Sequence, residues 1–466
     1  MARFGANEPS SRAVTERRRI LIASYHFPPD TAVGGLRSSK FARFLPEFGW
    51  EPYVLTVKDE YRDEGIDLER LEGLEGITVV RTAELPSLKG VYFALMSRLL
   101  KRRQQSVQPV PRVMERPATA DGHETIVGRI KRYVTSLIVL LPDEKKTWSF
   151  YAWIKAVRLI RQAEVEYILT SSPPASAHFI GLMAKVFTNV RWIADFRDPW
   201  LDLIHERSPL SRSKASDTIE RWMERMVMTH ADKVLTTTNR FRQVLSERYP
   251  ACGPDKFVCV PNSIDTGMFR LGDTVQKDGP LIITYAGSLY LGRTPEPLFL
   301  AVQQLIGGGQ ISAADIRITL LGDCGYINGV ATGNVAKQHG LESVVQVLEP
   351  VPYSEALQIM QKSHLLLVIA PNGHRLCVPA KVFDYLGSGA KILALTEQGA
   401  TSDLIEETGS GRCFSQTDVA GLREYLHALI KDRAFAQLRN RVDLFQPYDV
   451  KYLTGRLVGE MLALAD

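Results

Sequence analysis

Cysteine is scarce in this 466-residue chain, and the five present (Cys252, Cys259, Cys324, Cys377 and Cys413) are odd in number and nowhere spaced Cys-x-x-Cys. That excludes a disulfide framework or a cysteine-type zinc site and fits a reducing, cytosolic compartment. Long apolar runs are also missing. The longest surrounds Leu137–Leu141, far short of the roughly 20 residues a membrane span needs. Ile20-Leu-Ile-Ala23, behind Arg17, Arg18 and Arg19, is shorter than the roughly 7–15 apolar residues of a signal peptide. It runs into Pro28-Pro29 and reads as a first β-strand. No repeat of fixed period is visible, and no Asp-x-Asp follows a strand-like run.

What is present is globular in character, with 45% hydrophobic and 23% charged residues, and the length predicts two or three domains. The formal charge of +5 is modest and does not point to nucleic acid. Its distribution is uneven: between Ser87 and Thr135 ten Lys and Arg stand against three acids, a surplus larger than the net charge of the whole chain. Val91–Arg103, which ends in Lys101, Arg102 and Arg103, and Arg129–Leu141, which runs past the end of that segment, join bulky apolar residues to clustered cations. That is the composition of a helix lying on an anionic bilayer, or of one whose apolar side faces a core.

Strand-like runs at Ile20–Ser24, Tyr53–Thr56, Tyr167–Thr170, Val190–Ala194 and Lys233–Thr237 alternate with helical patterns. A second series follows at Leu281–Tyr285, Ile316–Leu321, Val344–Leu348, Leu365–Ile369 and Lys391–Leu395. Alternation of this kind predicts parallel sheets, hence two α/β units. The polar stretch 271–280, closed by Gly279-Pro280, has the composition of a linker. The expected division is residues 1–275, residues 276–445, and a C-terminal helix in 446–466 packing back on either unit, its Leu453, Leu457, Val458, Met461 and Leu462 at helical spacing.

Four stretches could carry chemistry. In His26–Arg37, Gly34 and Gly35 precede a helix, which suits an anion at free helix N–H groups or simply a flexible loop. Asp195-Phe-Arg197-Asp198-Pro-Trp200 ends a buried strand where ligands of open α/β sheets bind. The alternative is a structural ion pair of Arg197 with Asp195 or Asp198. Gly287–Pro295 places Arg293 in a glycine-bearing loop at a helix start, either a diphosphate clamp or a solvated cation. In Asn372–Gly389, Pro379 suits a first helical turn and Gly389 its stop. Lys381 and Asp384 then share a helix face, as a phosphate cation and a sugar-diol acceptor or as an exposed ion pair.

Taken in order, these stretches resemble the family-4 (GT4-type) glycosyltransferases over nearly the whole chain. The matching features are Tyr25–Arg37; Thr170-Ser-Ser-Pro-Pro-Ala-Ser-Ala-His178; Asp195–Trp200; Val260-Pro-Asn-Ser-Ile-Asp265; Tyr285-Ala-Gly-Ser288 with Arg293; and Pro379-Ala-Lys-Val-Phe-Asp384-Tyr-Leu. Leu141-Pro-Asp-Glu with Trp148 is similar to a subgroup acting on bacterial surface polysaccharides. The resemblance implies a GT-B fold, two Rossmann-like units facing across a cleft, with a UDP- or GDP-linked sugar held mainly by the second and a glycan or polyprenyl-linked acceptor by the first. It further implies retention of anomeric configuration without cofactor or essential metal, the leaving diphosphate being neutralised by Arg293, Lys381 and helix N-terminal amides. Donor contacts would come from Gly34, Gly35, Ser288, Asn372, Gly373, His374 and Asp384. The catalytic position of the first unit would fall at Arg197 or Asp198.

This chain departs from the family pattern where its paired acids fall on Leu376 and Asp384, and where Ser288 replaces a common arginine. A sugar-nucleotide epimerase of the same shape, or an inactive nucleotide- or lipid-binding partner subunit, are the rival readings. The expected location is cytoplasmic, with peripheral contact at the inner membrane face.

Overall fold

The computed structural model describes residues 17–62, 65–85, 141–203, 214–269, 279–290, 292–370, 373–440 and 442–465. The basic segment 87–135, most of the 271–280 stretch and Asn372 lie outside the described residues.

The first unit contains β1 (Arg18–Ser24), α1 (Leu36–Phe44), β2 (Trp50–Val57), β3 (Thr78–Thr82), α2 (Lys146–Gln162), β4 (Tyr167–Ser172), α3 (Ala177–Phe187), β5 (Arg191–Phe196), α4 (Lys214–His230), β6 (Lys233–Thr236), α5 (Asn239–Arg248) and β7 (Phe257–Cys259). The second contains β8 (Leu281–Ala286), α6 (Glu296–Gly307), β9 (Ile316–Leu321), the small hairpin β10 (Tyr326–Ile327) and β11 (Val330–Ala331), α7 (Thr332–Gln338), β12 (Val345–Leu348), α8 (Tyr353–Gln361), β13 (Leu365–Ile369), α9 (Lys381–Ser388), β14 (Lys391–Leu395), α10 (Ala400–Thr408), β15 (Gly411–Phe414) and α11 (Val419–Lys431). Helix α12 (Val450–Leu462) closes the described chain.

Both large sheets are parallel, in the orders β3-β2-β1-β4-β5-β6-β7 and β12-β9-β8-β13-β14-β15. Each reverses direction beside its first strand, between β1 and β4 and between β8 and β13. A doubly wound sheet opens a crevice at such a switch point, past the carboxyl ends of the strands. Strand β1 from Ile20 onward, and nearly all of β4, β5, β13 and β14, are buried on both faces because helices cover both.

Sequence and structure agree on the strands with long apolar runs. β3, β7 and β15, not expected from sequence, are short or half-exposed edge or near-edge strands, and such strands lack the apolar run that marks a central one.

Helix α12 packs on the first unit. Its Leu453, Leu457 and Met461 are fully buried with Ile20, Phe41 and Trp50. The chain therefore crosses between units twice, after β7 and again before α12, and the crossings lie side by side. Ile264 donates to the Tyr448 carbonyl at 2.8 Å and accepts from the Val450 amide at 2.9 Å. Gly387 of α9 meets this hinge so closely that a Cβ there would stand 2.3 Å from the Phe269 ring.

Candidate active site

The second unit's contribution starts at the end of β8. Gly287 has φ +136°, and a Cβ on it would lie 2.5 Å from Lys381 Nζ, so glycine is what admits the ammonium to the loop. Gly322, φ +113°, abuts the same loop, its Cβ position 2.5 Å from the Gly287 carbonyl oxygen. The Cys324 thiol donates to that carbonyl at 3.2 Å, and burial pushes the thiol up to about 12.

Lys381 Nζ sits 3.9 Å from the centroid of the Tyr285 ring, a cation–π contact. The Tyr285 hydroxyl donates in turn to the Ser288 carbonyl at 2.7 Å, fixing the loop under the lysine. Burial, and then the charge of Arg293, bring Lys381 down to about 7. Arg293 stacks on Tyr290 at 4.1 Å and is half-buried. Two cations thus face one another with no carboxylate paired to either in the described structure, at the first turn of α9, an arrangement that favours an anion.

Asp384 points elsewhere. It accepts from the Tyr353 hydroxyl at 2.8 Å; burial raises its pKa and the charge of Lys40, from the first unit, opposes that rise. The exposed Lys381–Asp384 ion pair allowed by the sequence is therefore not formed: one residue serves the β8 loop, the other faces the crevice towards Lys40.

In the first unit, Arg37 and not Arg197 is the partner of Asp195. Arg37 Nε donates to both carboxylate oxygens at 3.1 Å, Nη1 to the Pro261 carbonyl at 2.6 Å and Nη2 to Val260 at 2.8 Å. The Arg197 guanidinium is spent on three carbonyls, those of Ser172 (2.9 Å), Pro173 (2.7 Å) and Gly34. It braces the glycine loop against the loop after β4, which leaves it poorly placed for proton transfer. Asp198 is half-buried in the turn that follows. Crowding explains both glycines: a Cβ on Gly34 would lie 2.9 Å from His26 Cδ2, and one on Gly35 3.1 Å from Phe27 Cα.

Beside them is a pair the sequence reading missed. His26 Nδ1 lies 2.8 Å from Asp30 Oδ2, and Asp30 Oδ1 accepts from the Ala32 amide at 2.9 Å. Burial would raise the Asp30 carboxyl, but these hydrogen bonds from His26 and Ala32 hold it below its ordinary range. The signal available was a His and an Asp four residues apart past the end of β1. His178, in the family-like Thr170–His178 stretch, is instead structural: fully buried between Thr170 Oγ1 and Ser172 Oγ, each at 2.9 Å, and held neutral by burial with a pKa of about 3.

Between the units, the Thr238 hydroxyl donates to the Leu376 carbonyl at 2.6 Å, and the Leu376 side chain packs against the core of the first unit. The Arg240–Asp403 ion pair lies across the same junction. The position where the family pattern has its first acid is here an apolar contact across the crevice. Gly373 is exposed and His374 half-buried on the same loop.

Two doubly wound parallel sheets, each with a switch point beside its first strand, give the chain the GT-B fold. Residues 90–267 match the family described as Glycosyltransferase Family 4. A D-inositol 3-phosphate glycosyltransferase from Corynebacterium aurimucosum is 26% identical over 208 residues, which cover 39% of this chain and 48% of that protein. The chain thus matches about half the length of that curated relative. Sucrose-phosphate synthase from Thermosynechococcus elongatus shares the fold with a TM-score of 0.61 at 14% identity, over 96% of this chain and all of the other. HepE from Anabaena, solved with UDP-glucose, does so with a TM-score of 0.59 at 13% identity, over 96% and 99% of the two chains.

Proposed function

We propose that the protein is a retaining glycosyltransferase that moves a sugar from a UDP- or GDP-linked donor to a glycan or lipid-linked acceptor in surface polysaccharide or glycoconjugate synthesis. The observation that carries this reading is the Lys381–Arg293 pair at the Gly287 loop. As the glycosidic bond breaks, negative charge grows on the departing diphosphate, and cations placed there before the reaction stabilise that charge more than they stabilise the substrate. Asp384 accepts hydrogen bonds from the ribose, and the His26–Asp30 side of the crevice receives the acceptor. The sugar must be held by groups other than an acid at 376, because Leu376 is engaged with the first unit.

Both cations are side chains, so transfer is expected without a divalent metal. Incubation with UDP-glucose, UDP-galactose, UDP-N-acetylglucosamine and GDP-mannose, with alkyl glycosides or polyprenyl-phosphate sugars as acceptors, tests the reading. The expected result is transfer that survives EDTA and a product whose anomeric configuration, read by NMR, matches the donor. Loss of turnover with chelator and recovery with Mg²⁺ would sink the metal-independent mechanism. Conversion of donor without any acceptor would point to an epimerase, and nucleotide binding with no transfer to an inactive partner subunit. The basic composition of residues 87–135 supports a peripheral place on the inner membrane face.

A pH effect follows from Lys381. A bound diphosphate restores the charge that burial and Arg293 suppress, so the lysine pKa in the complex rises above its free value of about 7. Affinity is then greatest below pH 7 and falls as pH climbs from 7 towards the pKa of the complex. Calorimetry should show UDP binding roughly tenfold weaker at pH 8.5 than at 6.5, with proton uptake at the higher pH. Binding that is flat in pH and takes up no proton would remove Lys381 from the diphosphate site.

A further inference from the structure

Helix α2 carries an unusual outer face. Its inner side, Trp148, Ala152, Ala156 and Ile160, is buried in the core. Its outer side exposes Phe150 (61%), Tyr151 (46%) and Ile154 (38%), followed on the same stripe by exposed Arg158 and Arg161. The helix contains four cations and no acid. The patch continues onto the end of α3: Arg161 donates to the Phe187 carbonyl at 2.8 Å, and the half-exposed Phe187 ring stacks on Trp153 at 5.4 Å. Acids do stand nearby, Glu60 on the Tyr61 side of Tyr151 and Glu164 just past the helix end, but every charge on the helix itself is positive; exposed aromatic groups beside such charge mark a contact surface that matches an anionic lipid layer better than a protein face.

The place of this patch is as informative as its composition. The first turn of α2 abuts the residues just past β1 and β4: the Trp148 ring lies 5.4 Å from Tyr25, and the Ser149 hydroxyl donates to the Ser176 carbonyl at 2.8 Å. Phe150 and Tyr151 therefore stand at the rim of the acceptor side of the crevice.

We propose that the outer face of α2, with the end of α3, is the surface by which the first unit sits on an anionic bilayer, turning the crevice rim towards acceptors held in that bilayer. The purpose assigned to the contact rests on the lipid-linked acceptor proposed above; the contact itself does not. The apolar side chains enter the interface and Arg158 and Arg161 stay at the level of the phosphates.

The test uses the full chain, without donor or acceptor, sedimented with phosphatidylglycerol or phosphatidylcholine vesicles. The expected result is binding to the anionic vesicles alone, weakened by about 0.5 M NaCl, which shortens the Debye length. The pairs Phe150→Ser with Ile154→Ser, and Arg158→Gln with Arg161→Gln, leave Lys101, Arg102 and Arg103 in place. Each pair should lower the partition coefficient about tenfold or more while cooperative thermal unfolding and circular dichroism still report an intact fold. Unaltered binding by both variants, or equal recovery of the wild type with the two lipids, overturns the proposal. So does a wild-type dimer that the Phe150/Ile154 variant dissolves, because that would assign the face to a second copy. Absence of transfer from every donor, with vesicle binding intact, would count against the enzymatic reading and not against this surface.

Discussion

Lys381→Ala should lower turnover by roughly 10²-fold or more, the scale of removing one preorganised donor from a developing anion. Little should happen to the fold. The ammonium has no carboxylate partner in the described structure, and its pKa is lowered to about 7 by burial first and Arg293 second. A base whose folded pKa lies below its unfolded value costs stability as pH falls through that window, so removing it is neutral or mildly stabilising at pH 7. Arg293→Ala should act in the same direction, since the guanidinium is held on Tyr290 at 4.1 Å and is paired with no acid among the described residues. Steady-state kcat at saturating donor, set beside thermal unfolding of each variant, gives the answer. Near-native rates in both would return these residues to the status of surface and helical charges.

The opposite pattern is expected at Arg37. Arg37 is 6% exposed, its acid Asp195 is 0% exposed, and Ser171 completes the acid's shell with a hydroxyl at 2.9 Å. Arg37→Ala strands a buried carboxylate and two carbonyls at once, and breaking such a pair from one side costs about 3–5 kcal/mol. Urea unfolding should show a lower midpoint with unchanged slope, whereas nucleotide binding to the second unit should persist in whatever fraction stays folded. Replacing both partners together, Arg37→Met with Asp195→Leu, should recover part of the loss, because no orphaned charge is left. A single variant as stable as the parent would mean that water reaches the carboxylate.

Much of the fold is readable from the chain because central parallel strands must be apolar on both faces; Leu365–Ile369, buried at every residue, could hardly be anything else. Thr78–Thr82, half-exposed along its length, has no such constraint and carries no such mark. At the site, spacing placed Lys381 and Asp384 on one helical face, yet where each side chain goes is decided by Gly287 and Tyr353, distant in sequence. The same holds for Asp195: its partner stands 158 residues away, while Arg197, two residues off, is drawn to carbonyls of other loops. Leu376 reads as a missing acid in the sequence and is, in three dimensions, an apolar contact between units.

Because α12 covers Ile20, Phe41 and Trp50, the first unit is made of both ends of the described chain and the second is strung between them. On a ribosome the order of synthesis is then not the order of completion. The first sheet emerges early with one flank bare, the second unit can fold whole while it waits, and only when residues 450–462 have left the tunnel can the first core be closed. During that interval the bare flank is the part of the nascent protein that a chaperone would find.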